Sequence, residues 1–287
     1  MQPFEHHSPE SLSEALQILQ DTQGTGTVIA GGSDLVLQMR NQMKSPGLLI
    51  NIKRLPELKG ISYDKQDGLR IGALTTLQEL VCSDLVARHA PALVSAARQM
   101  ASAQVRGFAT LGGNLCNASP SADTAPPLIA EEASVSLVSP VGERRLPLED
   151  FFLGPGETVL QPGELMQSIQ LSPKKSKALF IKHAPRVYMD ISVVCIALRL
   201  VLHKQRCAEA RIVLGAVAPT PFRAAQAEAE LVGHPLSPDR IQVAARLAAQ
   251  ACQPIDDVKG AAWYRKRMVA VLVERGLTAF SHGRGGA

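Results

Sequence analysis

Two glycine-centred segments hold the residues best suited to chemistry. The first runs Ala30-Gly31-Gly32-Ser33-Asp34-Leu35, with Ile29 before it. The second runs Thr110-Leu111-Gly112-Gly113-Asn114-Leu115-Cys116-Asn117, followed by Ala118-Ser119-Pro120. Adjacent glycines let the backbone turn tightly and approach a bulky anion, and successive N–H groups then form a concave donor nest. A helix starting after the turn adds partial positive charge. Ser33, Thr110, Asn114 and Asn117 supply short side-chain donors. This suits a pyrophosphate bound without a lysine. A lone Gly-Gly pair is most often only a turn. Two such segments, each expected just after a strand and each trailed by small polar residues, point to a nucleotide cofactor. Neither has the GxGxxG spacing nor a GxxxxGK run, which excludes Rossmann and P-loop signatures.

Other reactive residues point away from metal and nucleophile chemistry. The five cysteines, Cys82, Cys116, Cys195, Cys207 and Cys252, are well separated and form no CxxC. That argues against zinc ribbons, ferredoxin-type cluster loops and thioredoxin chemistry. They read as reduced, mostly buried thiols, and if the protein moves electrons, any iron–sulfur cluster is expected on another chain. His6 and His7 are adjacent, so on a strand they point apart, and no third ligand lies near in sequence. No metal site is expected. The basic run from Trp263 to Arg267 precedes an apolar one from Met268 to Val273, the pattern of an amphipathic helix with a charged outer face.

The elements that must position these residues are short. Glycine (22) and proline (19) are abundant and aromatic residues few (4%), as in a chain with many turns. An apolar content of 46% with 20% charged residues is that of a globular protein with room for more than one core. The net charge of +4, with no like-charged block longer than three residues, makes no case for nucleic acid or a membrane surface. The longest apolar runs are too short to span a bilayer, and residues 1–10 lack the apolar core of a signal peptide. A cytoplasmic location is expected, with peripheral membrane attachment through a partner left open.

Ser11 and Glu14 predict a capping box opening an amphipathic helix. Strands are expected over Thr27–Ala30 and Leu48–Ile52, with a helix over Leu35–Met43 between them as a right-handed crossover. Period-two alternation predicts strands at 61–63, 69–73, 134–138 and 145–148, and a further strand is expected over 165–171. Helices are expected over Thr76–Val81 and Ala90–Met100, and a Pro-rich loop over Ser119–Pro127. Ser172–Lys177 reads as a linker. Beyond it, strands are expected over Ile191–Leu202 and Ala210–Ala218, and helices over 238–252 and 258–275. The Gly-rich end, 282–287, reads as a frayed tail.

These motifs together resemble a known family. The carrying residues are Pro3-Phe4, Ser11-Leu12 through Ala15-Leu16, and Ala30 to Leu35. Others are Leu69 to Thr76, Gln104-Val105-Arg106, Thr110 to Asp123, Pro162 to Leu165, Met189 to Ser192, and Ala218 to Arg223. The chain resembles the medium, FAD-binding subunit of molybdenum hydroxylases of the xanthine dehydrogenase and carbon monoxide dehydrogenase type. It looks most like bacterial xanthine dehydrogenase FAD subunits. The likeness runs from residue 1 to about 280, and it lacks the cysteine-rich insertion that some relatives use for an extra cluster.

The resemblance implies an α+β fold. An FAD-binding domain of the PCMH type would occupy 1–175, as two α/β subdomains over 1–58 and 59–175. A C-terminal domain of antiparallel sheet plus helices would occupy 178–281. It implies FAD on this chain, with [2Fe-2S] clusters on a small partner and molybdopterin on a large one. Electrons would leave substrate at molybdenum, pass the clusters and this subunit's flavin, and reach an external acceptor. Residue by residue, Ala30–Asp34 and Thr110–Asn114 match the two pyrophosphate loops, Ile29 and Leu35 flank the first, and Met100 matches a residue against the adenine. Cys116 and Asn117 fall beside the flavin and its diphosphate, and Asp123 matches an acidic residue that hydrogen-bonds the cofactor. Leu165 or Met166 matches a residue packed on the isoalloxazine ring, and Lys182 a lysine at its pyrimidine edge, where a cation would raise the reduction potential. Three other readings remain: a stand-alone FAD oxidoreductase, a cofactor-free assembly subunit, and a nucleotide-binding regulator.

Overall fold

The chain is described by a computed structural model over residues 2–174, 177–186 and 189–282. Strands Thr27–Ile29 and Leu48–Asn51 pair in parallel, and the helix Leu35–Arg40 lies in the connection between them. A third strand, Glu5–His7, which the sequence pattern did not reveal, pairs with the other side of Leu48–Asn51. It leaves His6 and His7 exposed at a sheet edge. Helix Leu12–Asp21 buries Ala15, Leu16 and Leu19 against Ile50, Leu55 and Leu58. Its cap differs by one residue from the expected box. Ser11 Oγ accepts from the Glu14 N–H, but the Glu14 carboxylate accepts from the N–H of Glu10.

The helix after the first glycine segment ends at Arg40, short of Met43. Gln42 adopts the left-handed conformation (φ 58) and the N–H groups of Met43 and Lys44 both return to the Gln38 carbonyl, at 2.8 and 3.3 Å. This is a Schellman-type stop.

The second sheet is antiparallel, in the order Ile61–Asp64, Gly68–Gly72, Leu165–Leu171, Ser134–Ser139, Gly142–Pro147. Six helices are inserted between its second and third strands in chain order: Leu77–Cys82, Asp84–His89, Pro91–Arg98, Ala103–Arg106, Leu111–Cys116 and Ala125–Ala130. Only the first and third were expected. The other four have six residues or fewer, too few to show a helical period. The Pro-rich stretch becomes helical at Ala125, because Pro126 and Pro127 lie in the first turn, where their missing N–H groups are not needed.

The third sheet runs Lys177–His183, Val194–His203, Arg206–Gly215, Phe222–Arg223, all antiparallel. The expected strand over Ile191–Leu202 starts at Val194, and the one over Ala210–Ala218 is the second half of Arg206–Gly215. Helices Ala225–Leu231, Pro238–Ala251 and Ala262–Ser281 follow; residues 258–261, expected to be helical, precede the last of them. Part of the expected linker and all of the tail except His282 lie outside the described residues.

This sheet is buried on both faces. Ala178 and Phe180 join the core of the second sheet, while Leu179 and Ile181 pack with the C-terminal helices. Cys195 and Ala197 divide from Val194, Ile196 and Leu198 in the same way. Side chains alternate along a strand, so Lys182 lies on the face of Ala178 and Phe180 and is aimed into the N-terminal part of the molecule.

Candidate cofactor-binding cleft

The three larger sheets each contribute to a cleft of ≈ 540 Å³. The residues matched to the cofactor above line it, save Leu111, which is buried in the core. In the first glycine segment the N–H groups of Gly31, Gly32, Ser33, Asp34 and Leu35 find no acceptor among the described residues. Gly32 is left-handed (φ 78), the conformation that glycine tolerates best. A Cβ on Gly31 would lie 2.1 Å from the carbonyl oxygen of Phe108, so this segment leans directly on the one leading to the second glycine pair.

The second segment is built differently from the expected loop. No strand precedes it, only a bridge between Thr76 and Thr110, and Gly112 and Gly113 lie in the first turn of helix Leu111–Cys116. Its N–H groups are already used. Leu111 and Gly112 donate to the carbonyls of Thr75 and Ala73 (2.9 and 2.8 Å), and Gly113 donates to Thr110 Oγ1 (3.1 Å). The nest expected there is therefore absent, because the carbonyls of Thr75 and Ala73 and the Thr110 cap consume it. The segment offers side chains instead. Asn114 Oδ1 accepts from Thr124 Oγ1 (2.6 Å) and Asn117 Oδ1 from Gln38 Nε2 (3.4 Å), which leaves each amide NH2 with donors to offer. Gly113 is exposed to the cleft, whereas a Cβ on Gly112 would meet Ala73 at 2.6 Å.

Apolar walls come from Met100, Leu165 and Met166. Sequence reasoning passed over what holds Met100 in place. Arg106 Nη1 donates to the carbonyls of Arg98, Met100 and Ala101 (3.3, 2.9 and 3.2 Å), and its Nε donates to Gln78 Oε1 (3.2 Å). The turn that it pins includes Ala101 in a left-handed conformation (φ 43). The signal was the Gln104-Val105-Arg106 motif, to which no role had been attached.

Lys182 enters from the third sheet and forms a buried ion pair with Asp123 at 2.7 Å. Its Nζ also donates to the carbonyls of Asp190 (2.8 Å) and Gln99 (3.4 Å), and Asp123 Oδ1 accepts from Ser192 Oγ (2.5 Å). The lysine is thus neutralised rather than free, and the cleft meets a paired dipole. Burial pushes the Cys116 thiol up to about 12, so it is protonated and a poor nucleophile at neutral pH. Among the described residues no cluster could hold a metal ion, and no helix is long and apolar enough to cross a membrane.

Residues 2–174 match the FAD binding domain in molybdopterin dehydrogenase, and residues 180–280 match the CO dehydrogenase flavoprotein C-terminal domain. The chain belongs to this family. It is 32% identical to the carbon monoxide dehydrogenase medium chain of Hydrogenophaga pseudoflava, over 96% of each chain. It is 30% identical to the xanthine dehydrogenase FAD-binding subunit of Escherichia coli O157:H7, over 98% of this chain and 97% of the relative. A solved carbon monoxide dehydrogenase from Hydrogenophaga pseudoflava that lacks the Mo-pyranopterin moiety superposes with a TM-score of 0.95 at 33% identity, each chain fully covered. The cleft fits this family's FAD. It joins a row of N–H donors that are free among the described residues, Gly113, where a Cβ would project into the cleft, and an apolar wall.

Proposed function

We propose that this chain is the FAD-carrying electron-transfer subunit of a molybdenum hydroxylase complex. FAD, when bound, supplies the reversible electron chemistry. The carrying observation is the run of N–H groups from Gly31 to Leu35, unpartnered among the described residues, which lines the same cleft as Asn114 and Asn117. These would hold the diphosphate, with Thr110 supporting the second segment through its cap. Met100 would cover the adenine, and Leu165 and Met166 the ring system. The Lys182–Asp123 pair would present a fixed dipole to the flavin and exclude water from beneath it. The division near 58 and 175 follows the same reading.

The clusters and molybdopterin are assigned to a small [2Fe-2S] chain and a large chain. Relatives named for carbon monoxide, xanthine and glyceraldehyde dehydrogenases are all 30–32% identical to this chain, which supports a substrate chosen by another subunit. The test is the visible spectrum of the purified chain, followed by identification of any released cofactor. Flavin bands with FAD released support the assignment. A colourless chain that takes up no added FAD would overturn it and favour an assembly subunit.

A further inference from the structure

The charged side chains lining the cleft are Asp34, Lys44, Asp123, Glu164, Lys182 and Asp190. Asp123 and Lys182 neutralise each other. Glu164 is held by two hydrogen bonds from Arg144, at 2.7 Å each, and Asp190 by Arg186 at 3.3 Å. Asp34 carries its carboxylate beside the free N–H groups, and among the described residues it accepts only from Ser33 Oγ at 3.2 Å. Its charge opposes an anion at that place, and the six-residue helix that follows offers only a short dipole. Among the described residues Lys44 is the one cation lining the cleft whose ammonium has no partner.

Its position is built by the fold. The left-handed turn at Gln42 stops the helix, and the Lys44 N–H is fastened to the Gln38 carbonyl at 3.3 Å. The side chain of the same Gln38 reaches Asn117 Oδ1 at 3.4 Å. Lys44 thus lines the same cleft as the first glycine segment and as Asn114 and Asn117 of the second. We infer that Lys44 is the ionic contact for the cofactor's diphosphate, an inference that rests on the FAD reading of the cleft. Sequence reasoning expected a pyrophosphate bound without lysine; the structure supplies one from the loop beyond the helix.

The experiment measures FAD affinity of the full-length, flavin-stripped chain by quenching of flavin fluorescence. Wild type, Lys44→Gln and Lys44→Arg are compared at low and at high salt. An exposed ionic contact gives a loss of about three- to five-fold for Lys44→Gln at low salt. The gap should close near 1 M salt, where the screening length falls to about 3 Å, and Lys44→Arg should stay near wild type. Equal affinity of wild type and Lys44→Gln at low salt would overturn the inference. So would a loss independent of salt, which marks a change of loop packing rather than of charge. Failure of wild type to take up FAD would overturn the reading of the cleft itself, a result distinct from either.

Discussion

Gly31 and Gly113 lack side chains for opposite reasons. A Cβ on Gly31 would strike the carbonyl oxygen of Phe108, so even Gly31→Ala must push two backbone segments apart. A Cβ on Gly113 would meet only Thr110 Oγ1, at 2.7 Å, and otherwise project into the cleft. Gly31→Ala should therefore lower the melting temperature, at a cost of about 1–3 kcal/mol for overpacking. Gly113→Val should cost about 1 kcal/mol through the disturbed cap, yet lose FAD on gel filtration. Full FAD retention by Gly113→Val would remove the second segment from the site. In sequence the two glycine pairs look equivalent, and their types and spacing were enough to mark the cleft. That one pair offers its backbone and the other its asparagines was not legible. It depends on whether the N–H groups are spent on Ala73, Thr75 and Thr110, partners that only the fold assembles.

Short elements carry the site, and this is where the sequence spoke least clearly. Helices Ala103–Arg106 and Leu111–Cys116 are about one turn each, so their apolar residues show no period. Strand Lys177–His183 lies against a polar linker and was not read as a strand, yet its alternation aims Lys182 at Asp123. Arg106 shows how such an element acts at a distance. Its planar guanidinium serves three carbonyls of the 98–101 turn and Gln78 together, a fork that a lysine ammonium cannot reproduce. Arg106→Lys should therefore weaken FAD binding several-fold and alter the visible circular dichroism of the bound flavin, because Met100 and the Gln99 carbonyl shift. A variant that is less stable but binds FAD with unchanged affinity and dichroism would confine Arg106 to a structural role.

The whole molecule is joined by charge as well as by apolar packing. Arg199, with 2% of its side chain exposed, reaches from the third sheet to Glu131, Glu132 and Glu209 at 3.5, 3.3 and 3.2 Å. Arg211 joins Glu132 at 2.5 Å, and Lys174 pairs with the same carboxylate. Glu132 is therefore the hub at which the C-terminal sheet meets the second sheet's helices. Burial pushes its carboxyl up, but the Lys174 hydrogen bond and the charges of Arg211, Lys174 and Arg199 outweigh this and hold it below the usual carboxylate range. A depressed carboxylate contributes its full stability above the unfolded value, about 4.3, and loses it as pH falls through the folded value. Wild type should thus lose thermal stability progressively below about pH 4.3. Glu132→Gln should already be less stable at neutral pH, since it leaves Arg199 and Arg211 short of a counter-charge. The two melting temperatures should then converge in acid, where wild type has lost the same interaction. A gap that stays constant from neutral pH to about pH 3.5 would show that the charge on Glu132 does not hold the join, and that the apolar contacts of Ala178, Phe180 and Ala197 suffice.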